Sequence, residues 1–165
     1  MENPTYYQLG DHTETLQVDY DPTQISYKEI LDLFWDGHNP TGPQYTRQYI
    51  SIIFYHDEDQ EKVGLESKEA REKVLGAEIN TLIIPYTHFY LAEDYHQKYF
   101  LQGDSSLSSE VKGYFEEFQE FVNSTAAARL NGIVGGYANP ELLESELSEY
   151  GLSDSGMNNL QRYIK

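Results

Sequence analysis

The sequence predicts a layered domain of the α/β or α+β class, with helices packed on a sheet, followed by a helical C-terminal region. Segments with the two-residue periodicity of strands alternate with helical segments, in the order strand, helix, strand, helix, strand. Beyond Gly103 the periodicity is helical only. We therefore divide the chain into a domain at 1–102 and a helical extension at 103–165 that packs on it.

The first strand is predicted in TETLQVDYDP, residues 13–22. Leu16, Val18 and Tyr20 alternate with polar residues, which is typical of a strand with one buried face. The Asp-Pro pair at its end is a turn signal that stops the strand.

The first helix, in ISYKEILDLFWDG, has the most complete set of signals. Ser26 and Glu29 are spaced as a capping box, in which each side chain accepts a hydrogen bond from the other residue's backbone amide. Gly37 is predicted to end the helix in the left-handed conformation. Apolar residues at helical spacing form one stripe: Tyr27, Ile30, Leu31, Phe34 and Trp35.

The middle of the chain predicts a loop, a strand, a helix and another strand. NPTGPQYTRQ is a loop, and YISIIFY is an apolar strand that we expect to be buried on both faces. Residues 57–75 form a helix with Asp57 as its N-cap and a thin apolar stripe. INTLIIPYTHFYLAE follows as a strand, and its Pro85 indicates an edge or a bulge.

The rest of the chain is predicted to be helical. AEDYHQKYFLQ forms a short aromatic helix, and a longer helical region follows Asp104. An Asn-Pro pair at 139–140 starts a helix that ends at Gly151. The apolar stripes of the extension are Val111, Phe115, Phe118 and Val122, and then Met157, Leu160 and Ile164.

Composition excludes several classes of partner. A net charge of -17 opposes binding to nucleic acid and to anionic membrane surfaces, both of which require Lys and Arg. There is no apolar run long enough to cross a bilayer, so we expect a cytoplasmic protein unless a targeting signal precedes the chain. The 15 tyrosines are mostly expected to be half-buried rings, with a few available to line a pocket.

The candidate chemical groups are few. The chain has no cysteine, which excludes a disulfide, a thiolate metal site and a cysteine nucleophile within it. Tyr6, His12 and Glu14 cluster just before the first strand, where a carboxylic acid beside a phenol suits a polar substrate oxygen. Their spacing alone favours a solvated turn that leads into the strand. Glu93-x-x-His96 has the spacing of a di-iron ligand pair, but a single copy favours a structural or capping role. The other histidines, including His38 and His88, lack zinc-ligand spacing, so no metal is expected.

Several ordered motifs together resemble the peptide methionine sulfoxide reductase A family. They are Asn-Pro-Thr-Tyr, His-x-Glu, a strand ending in Tyr-Asp-Pro, Ile-Ser-Tyr, Leu-Phe-Trp and a following His-x-Pro, then QYIS and AEDYHQKYF. The resemblance covers residues 2–102 and is much weaker from Asp104 onward. It implies a ferredoxin-like two-layer α+β sandwich that reduces the S epimer of methionine sulfoxide, free or in proteins, as a repair after oxidation.

The resemblance also implies a mechanism and site residues. A cysteine or selenocysteine in Gly-Cys-Phe-Trp attacks the sulfoxide sulfur, and thioredoxin or another thiol reduces the resulting sulfenic acid, without a cofactor. Glu14 corresponds to the family's proton-donating acid, while Tyr6 and Tyr49 correspond to the tyrosines that bind the sulfoxide oxygen. The family's aspartate before Gln-Tyr has no counterpart, and Gln44 or Tyr45 occupies that space.

The Gly-Cys-Phe-Trp motif would lie upstream of Asn3, together with a strand and the catalytic helix. Three hypotheses follow: the sequence is a truncated record of an active reductase, or a noncatalytic relative that binds sulfoxides, or an interaction module. The first accounts for the abrupt start and the retained Glu14, Tyr6 and Tyr49 together. The chain as written is predicted to be inactive.

Overall fold

Two compact units make up the chain, Met1–Leu91 and Ala92–Lys165, and the computed structural model describes residues 4–44, 46–137 and 147–163 of them. The first unit combines helices with a small parallel sheet, so the α+β assignment holds at that level. Among the described residues of the second unit, the regular elements are all helices, joined by turns and loops. The predicted boundary at 102 and the packing of 103–165 on the preceding domain stay predictions.

The first unit is built around a strand–helix–strand arrangement. Two parallel strands pair in the register that sets Ile52 opposite Leu82 and Tyr55 opposite Pro85. A parallel pair cannot be joined by a tight turn, so a helix makes the crossover between the strands. The elements are α1, Tyr27–Asp36; β1, Ile52–Tyr55; α2, Glu58–Leu75; and β2, Leu82–Pro85.

Helix α1 begins where the sequence predicts it. The Ser26 side chain accepts from the Glu29 amide, and the Glu29 carboxylate accepts from the Ser26 amide at 2.8 Å, which completes the capping box. Leu31 and Trp35 are fully buried and form a small core with Ile53 and Ile79. The predicted apolar stripe therefore anchors α1 to the sheet, with Phe34 and Tyr27 packed at its margin.

The end of α1 differs from the prediction. Gly37 has φ -77° and ψ -9°, which is right-handed rather than left-handed geometry. His38 explains the difference, because its Nδ1 lies 2.7 Å from the Phe34 carbonyl oxygen and satisfies one of the free carbonyls at the helix end. The other ring nitrogen lies 2.9 Å from the Ser51 hydroxyl, so this histidine links α1 to the start of β1.

The prediction of a strand in TETLQVDYDP is wrong. Residues 13–21 run without ladder pairing, and Leu16 and Val18 are 85% and 52% exposed. A strand is stabilised by the backbone hydrogen bonds of a neighbouring strand. Among the residues that the structure describes here, the Glu14 amide finds a partner in the Gln48 carbonyl but no strand lies alongside the segment.

The strand predicted in YISIIFY is shorter and less buried than expected. β1 starts at Ile52, and Ile53 is its one fully buried residue, because a two-stranded sheet leaves both strands at an edge. Tyr49, at the start of the predicted strand, instead ends a 3₁₀ turn at Arg47–Tyr49. Pro85 ends β2, which agrees with the predicted edge position.

Helix α2 confirms its predicted limits. The Asp57 side chain accepts from the Gln60 amide at 2.8 Å, and the helix stops at Gly76, whose φ of 63° is left-handed. Its apolar stripe is as thin as the sequence indicates, since Val74 is largely exposed. Gly64 is the buried position, and a Cβ there would contact Ile83 at 3.5 Å.

The second unit consists of short helices around its own apolar core. Lys98, with φ 46°, separates a 3₁₀ turn at Asp94–His96 from α3, so the predicted aromatic helix is broken in two. The core residues are Leu101, Leu107, Val111, Phe121, Val122, Ala127, Leu130, Ile133, Tyr150 and Leu160. The helices are α3, Tyr99–Gly103; α4, Ser105–Lys112; α5, Phe118–Asn123; α6, Thr125–Val134; and α7, Asp154–Leu160.

Two C-terminal predictions fall partly outside the described residues. The Asn-Pro helix start at 139–140 and Ile164 of the last stripe lie there. Leu160 of that stripe is buried in α7, as its periodicity predicts. No helix within 4–44, 46–137 and 147–163 has the length and apolar character needed to cross a membrane.

Candidate functional site

Tyr6 and Tyr49 come together although 43 positions separate them in the chain. Tyr6 lies in a tight turn closed by hydrogen bonds between Thr5 and Gln8, and Tyr49 ends the 3₁₀ turn whose Tyr49 amide donates to the Thr46 carbonyl. Their hydroxyl oxygens are 3.4 Å apart, and the side chains are 37% and 60% exposed. The two phenols therefore form one solvent-accessible pair.

Glu14 is bound to the residue that precedes Tyr49. The Glu14 amide donates to the Gln48 carbonyl at 3.0 Å, and the Gln48 side-chain amide donates to Glu14 Oε1 at 2.6 Å. These contacts bring the carboxylate to the turn that carries Tyr49. All three residues predicted for the site thus belong to one region of the first unit.

The segment that carries Glu14 is held in a fixed register against that turn. Arg47 Nε donates to the Asp11 carbonyl at 3.0 Å, and the Thr13 hydroxyl donates to the Arg47 carbonyl at 2.9 Å. Together with the two Glu14–Gln48 bonds, this gives four hydrogen bonds between residues 11–14 and 47–48. These four hydrogen bonds, rather than the ladder of a sheet, order the segment here.

The Tyr49 phenol has a pKa raised to about 12. The hydrogen bond with Tyr6 is the largest cause, followed by partial desolvation and by the negative charge of Glu14. A carboxylate near the phenol disfavours the phenolate. Tyr49 is therefore a protonated hydrogen-bond donor throughout the neutral range.

This arrangement suits a small, strongly accepting oxygen atom. A separation of 3.4 Å is long for a bond between two hydroxyls, so both phenols can turn to donate to a third oxygen between them. Two donors aimed at one oxygen stabilise negative charge that develops on it. A neighbouring carboxyl can then deliver or accept a proton.

The other candidate groups have local structural roles. Gln44 Nε2 donates to the Asn80 carbonyl at 2.8 Å, and Tyr45 lies outside the described residues. The Glu93 carbonyl accepts from the His96 amide at 2.9 Å, which makes this pair part of a turn. Within the described part of the chain, no three His, Asp or Glu side chains are grouped to hold a metal ion.

Sequence reasoning missed the residues that connect the site. Gln48, Arg47 and Thr13 make the bonds between the two segments, although none was singled out from the sequence. The Gln-Tyr pair in the sequence pointed to Tyr49, but it gave no reason to single out Gln48, the other member of the pair. His12 lies on the same segment as Glu14, and its ring meets the Tyr90 ring edge-on at 5.3 Å.

Comparison with known proteins identifies relatives of one kind. A family model described as peptide methionine sulfoxide reductase matches residues 1–126, beyond the 2–102 indicated by motifs. A peptide methionine sulfoxide reductase of Drosophila melanogaster is 45% identical over 153 residues, which are 91% of this chain and 61% of that protein. The peptide methionine sulfoxide reductase MsrA of Methanosarcina acetivorans is 47% identical over 111 residues, 61% of this chain and 59% of that protein.

The likeness extends to plants. Peptide methionine sulfoxide reductase A4, chloroplastic, of Arabidopsis thaliana is 38% identical over 112 residues, 62% of this chain and 43% of that protein. The chain thus spans between 43% and 61% of the length of these three relatives.

Proposed function

The chain belongs to the peptide methionine sulfoxide reductase family, and from that premise we propose that it supplies the acid and phenol groups of a site that reduces the S epimer of methionine sulfoxide. The observation that carries the proposal is the Tyr6–Tyr49 hydroxyl pair with Glu14 bound beside it. The substrate is free methionine sulfoxide or an oxidised methionine in a protein. The function is then repair of oxidative damage.

The chemistry matches the polarity of a sulfoxide. Its S–O bond carries a large partial negative charge on oxygen, which the Tyr6 and Tyr49 hydroxyls stabilise as it grows during attack on sulfur. Glu14 supplies the proton that the oxygen requires. The raised pKa of Tyr49, about 12, keeps this donor protonated while the reaction proceeds.

The nucleophile is not among these 165 residues, because they include no cysteine. In the proposed reaction a thiolate or selenolate outside them attacks the sulfoxide sulfur, methionine leaves, and the oxygen stays on the nucleophile as a sulfenic or selenenic acid. Thioredoxin or another thiol then reduces that acid. The balance is one sulfoxide and two thiols converted to one thioether, one disulfide and one water.

We also propose that the first unit is part of a ferredoxin-like two-layer sandwich. The parallel β1–β2 pair with α2 as its crossover supports this, since strand–helix–strand units are the building blocks of that fold. The exposed apolar residues of the segment 13–21, Leu16 and Val18, fit a strand face that a fuller sheet would cover. The cytosol remains the proposed compartment.

The first test is the intact mass and activity of the native protein. We expect a mass above the 19.1 kDa of this chain and a peptide that contains cysteine or selenocysteine. That protein should reduce a peptide containing methionine (S)-sulfoxide with dithiothreitol and leave the R epimer unchanged. The 165-residue chain by itself should not turn over. Sustained turnover by it would contradict the proposed source of the nucleophile.

Binding tests the part of the site that this chain holds. N-acetyl-L-methionine (S)-sulfoxide, titrated into the chain and followed by NMR, should shift the signals of Tyr6, Glu14 and Tyr49. Replacing Glu14 by Ala should weaken that binding roughly tenfold, because the hydrogen bond that the protonated Glu14 carboxyl donates to the sulfoxide oxygen is lost. If the sulfoxide leaves those signals unchanged in the unmodified chain, the proposed site is wrong.

A further inference from the structure

Gln48 holds Glu14 through its main chain and its side chain at once. The Gln48 carbonyl accepts from the Glu14 amide at 3.0 Å, while its side-chain amide donates to Glu14 Oε1 at 2.6 Å. Glu14 and Gln48 are thus joined by one main-chain hydrogen bond and one side-chain hydrogen bond, which together close a ring. The bond at 2.6 Å is short for an N–H···O contact, as expected when the acceptor is charged.

Glu14 needs such a partner to have a defined position. Its side chain has three rotatable bonds and is exposed, so packing does not fix it. The segment that carries it has no ladder pairing in the structure's described residues. Hydrogen bonds are therefore what restricts the carboxylate, and Gln48 supplies the one to Oε1.

The same contact connects the carboxylate to the phenol pair. Tyr49 follows Gln48 directly, and both belong to the turn Arg47–Tyr49. A change in the Gln48 backbone therefore moves the attachment of Glu14 and the base of Tyr49 together. The influence of the Glu14 charge on the Tyr49 phenol agrees with this proximity.

We propose that Gln48 is a positioning residue, which fixes the orientation of the Glu14 carboxylate relative to the Tyr6–Tyr49 hydroxyl pair. Oε1 accepts from the Gln48 amide, so Oε2 is the oxygen that carries the proton and donates it to the sulfoxide oxygen. The inference rests on the proposed function, because it assigns to Glu14 a role toward the sulfoxide oxygen. It adds a residue that touches the acid rather than the ligand.

The charged and titratable groups around Glu14 come from both segments. Asp11 and His12 belong to its own segment, Arg47 to the opposing turn, and Tyr6 and Tyr49 to the phenol pair. In this setting the neutral amide of Gln48 donates to the carboxylate without adding charge. A carboxyl in place of this amide, as in Gln48→Glu, could donate to Glu14 only when protonated. The pairing of that variant with Glu14 should therefore depend on pH.

The decisive variants are Gln48→Ala and Gln48→Glu, with binding of N-acetyl-L-methionine (S)-sulfoxide measured by NMR. Gln48→Ala should weaken binding roughly tenfold at pH 7.5, by releasing Glu14 from one orientation. Gln48→Glu should weaken it at least as much at pH 7.5, because two carboxylates then face each other. Lowering the pH to about 5 should restore a large part of the affinity of Gln48→Glu, since one shared proton rebuilds the hydrogen bond.

The matched control is Gln60→Ala. Gln60 also uses its side-chain amide locally, accepting from the His56 amide at 3.0 Å, but it lies on α2 and does not touch Glu14. This variant should bind as the unmodified chain does. Equal affinity in Gln48→Ala and Gln60→Ala would overturn the inference, as would an affinity of Gln48→Glu that stays low at pH 5.

A measurement on the unmodified chain separates this inference from the proposed function and needs no variant to fold. The side-chain amide signals of Gln48 should shift with the same midpoint as the Glu14 carboxyl carbon during a pH titration. If they do so and no sulfoxide binds, the proposed function fails while the Gln48–Glu14 pairing holds. If sulfoxide binds but the two titrations have different midpoints, the function holds and the positioning role is wrong.

Discussion

At the scale of single residues, the Tyr49 phenol has the most strongly shifted pKa in the site. Its pKa of about 12 arises first from the Tyr6 hydroxyl, then from partial desolvation and the charge of Glu14. A raised phenol pKa favours the folded state below the ordinary value near 10. That contribution is lost as the pH rises from about 10 through 12.

Replacing Tyr6 by Phe should lower the pKa of Tyr49 from about 12 toward its ordinary value of about 10, because the largest cause is removed. The measurement is a pH titration by NMR of tyrosines labelled at Cζ, with Tyr49 assigned by its Tyr49→Phe variant. The control is Tyr7→Phe, since Tyr7 is 87% exposed and its ring meets the Tyr6 ring edge-on at 5.3 Å. An unchanged Tyr49 titration in Tyr6→Phe would show that the hydroxyl pair is not the cause.

At the scale of elements, the first unit depends on local signals that its small core reinforces. α1 is fixed by its capping box and by two buried residues, Leu31 and Trp35. The Trp35 indole also donates to the Ser67 hydroxyl at 2.5 Å, which joins α1 to α2. Local sequence and tertiary contact agree here, which is why this helix was predictable.

Removing the cap tests that agreement. Ser26→Ala should lower the free energy of unfolding of the first unit by about 1 kcal/mol, the usual effect of losing an N-cap hydroxyl. Urea unfolding followed by the fluorescence of Trp35, the single tryptophan, gives the value. Gln24→Ala lies two positions away, keeps the cap and should stay within about 0.5 kcal/mol of the unmodified chain. A similar loss in both variants would argue against the capping box as the cause.

In the segment 13–21, unlike α1, the local sequence pattern and the tertiary structure disagree, because the strand that the pattern predicts does not form. Leu16→Ala should change stability by less than about 0.5 kcal/mol, because Leu16 is 85% exposed. Leu31→Ala, a matched substitution at a buried position of the same unit, should lower it by about 2–5 kcal/mol. The same urea experiment measures both. A loss above about 1 kcal/mol in Leu16→Ala would mean that the segment is buried after all.

At the scale of the whole molecule, each unit has its own stabilising centre, and Asp104 is the polar one of the second unit. Its carboxylate accepts from the Ser106 and Leu107 amides at the start of α4, and from Asn159, Arg162 and Tyr163 at the end of the chain. Burial pushes its pKa upward, but these hydrogen bonds outweigh burial and lower it. The ionised carboxylate thus joins α4 to the turn Gln161–Tyr163.

Asp104→Asn should lower the stability of the second unit by about 1–3 kcal/mol at pH 7. A lowered pKa contributes stability above the ordinary value of 3.8 that is lost as the pH falls through the folded value, so the difference between variant and parent should shrink at pH 3. Hydrogen exchange of amides in α4 and Gln161–Tyr163 measures the effect at both pH values.

The control for Asp104 is Asp154→Asn, at an exposed aspartate of α7. It should alter exchange in the same amides by no more than about 0.5 kcal/mol. If Asp104→Asn differs from the parent by the same amount at pH 7 and pH 3, the ionised state of Asp104 does not provide the stabilisation.

The sequence by itself determined the elements with complete local signals: α1 with its Ser26 capping box, α2 with its Asp57 cap, and Pro85 at a strand end. It also determined the family, because ordered motifs are a linear property. Strand formation in 13–22, by contrast, needs a neighbouring strand, and Leu16 and Val18 alternate correctly without one. Alternation reports which face a strand would bury, whereas only the tertiary structure decides whether anything pairs with it.

The site divides in the same way. The types of its groups, a carboxyl and two phenols, could be identified from Glu14, Tyr6 and Tyr49 in the printed sequence. Their meeting depends on a contact across 43 positions and on the bonds of Gln48 to Glu14, which no local pattern encodes. Hydrogen bonds between distant segments form only where the fold brings the two segments within about 3 Å, so this part was decided by the tertiary structure.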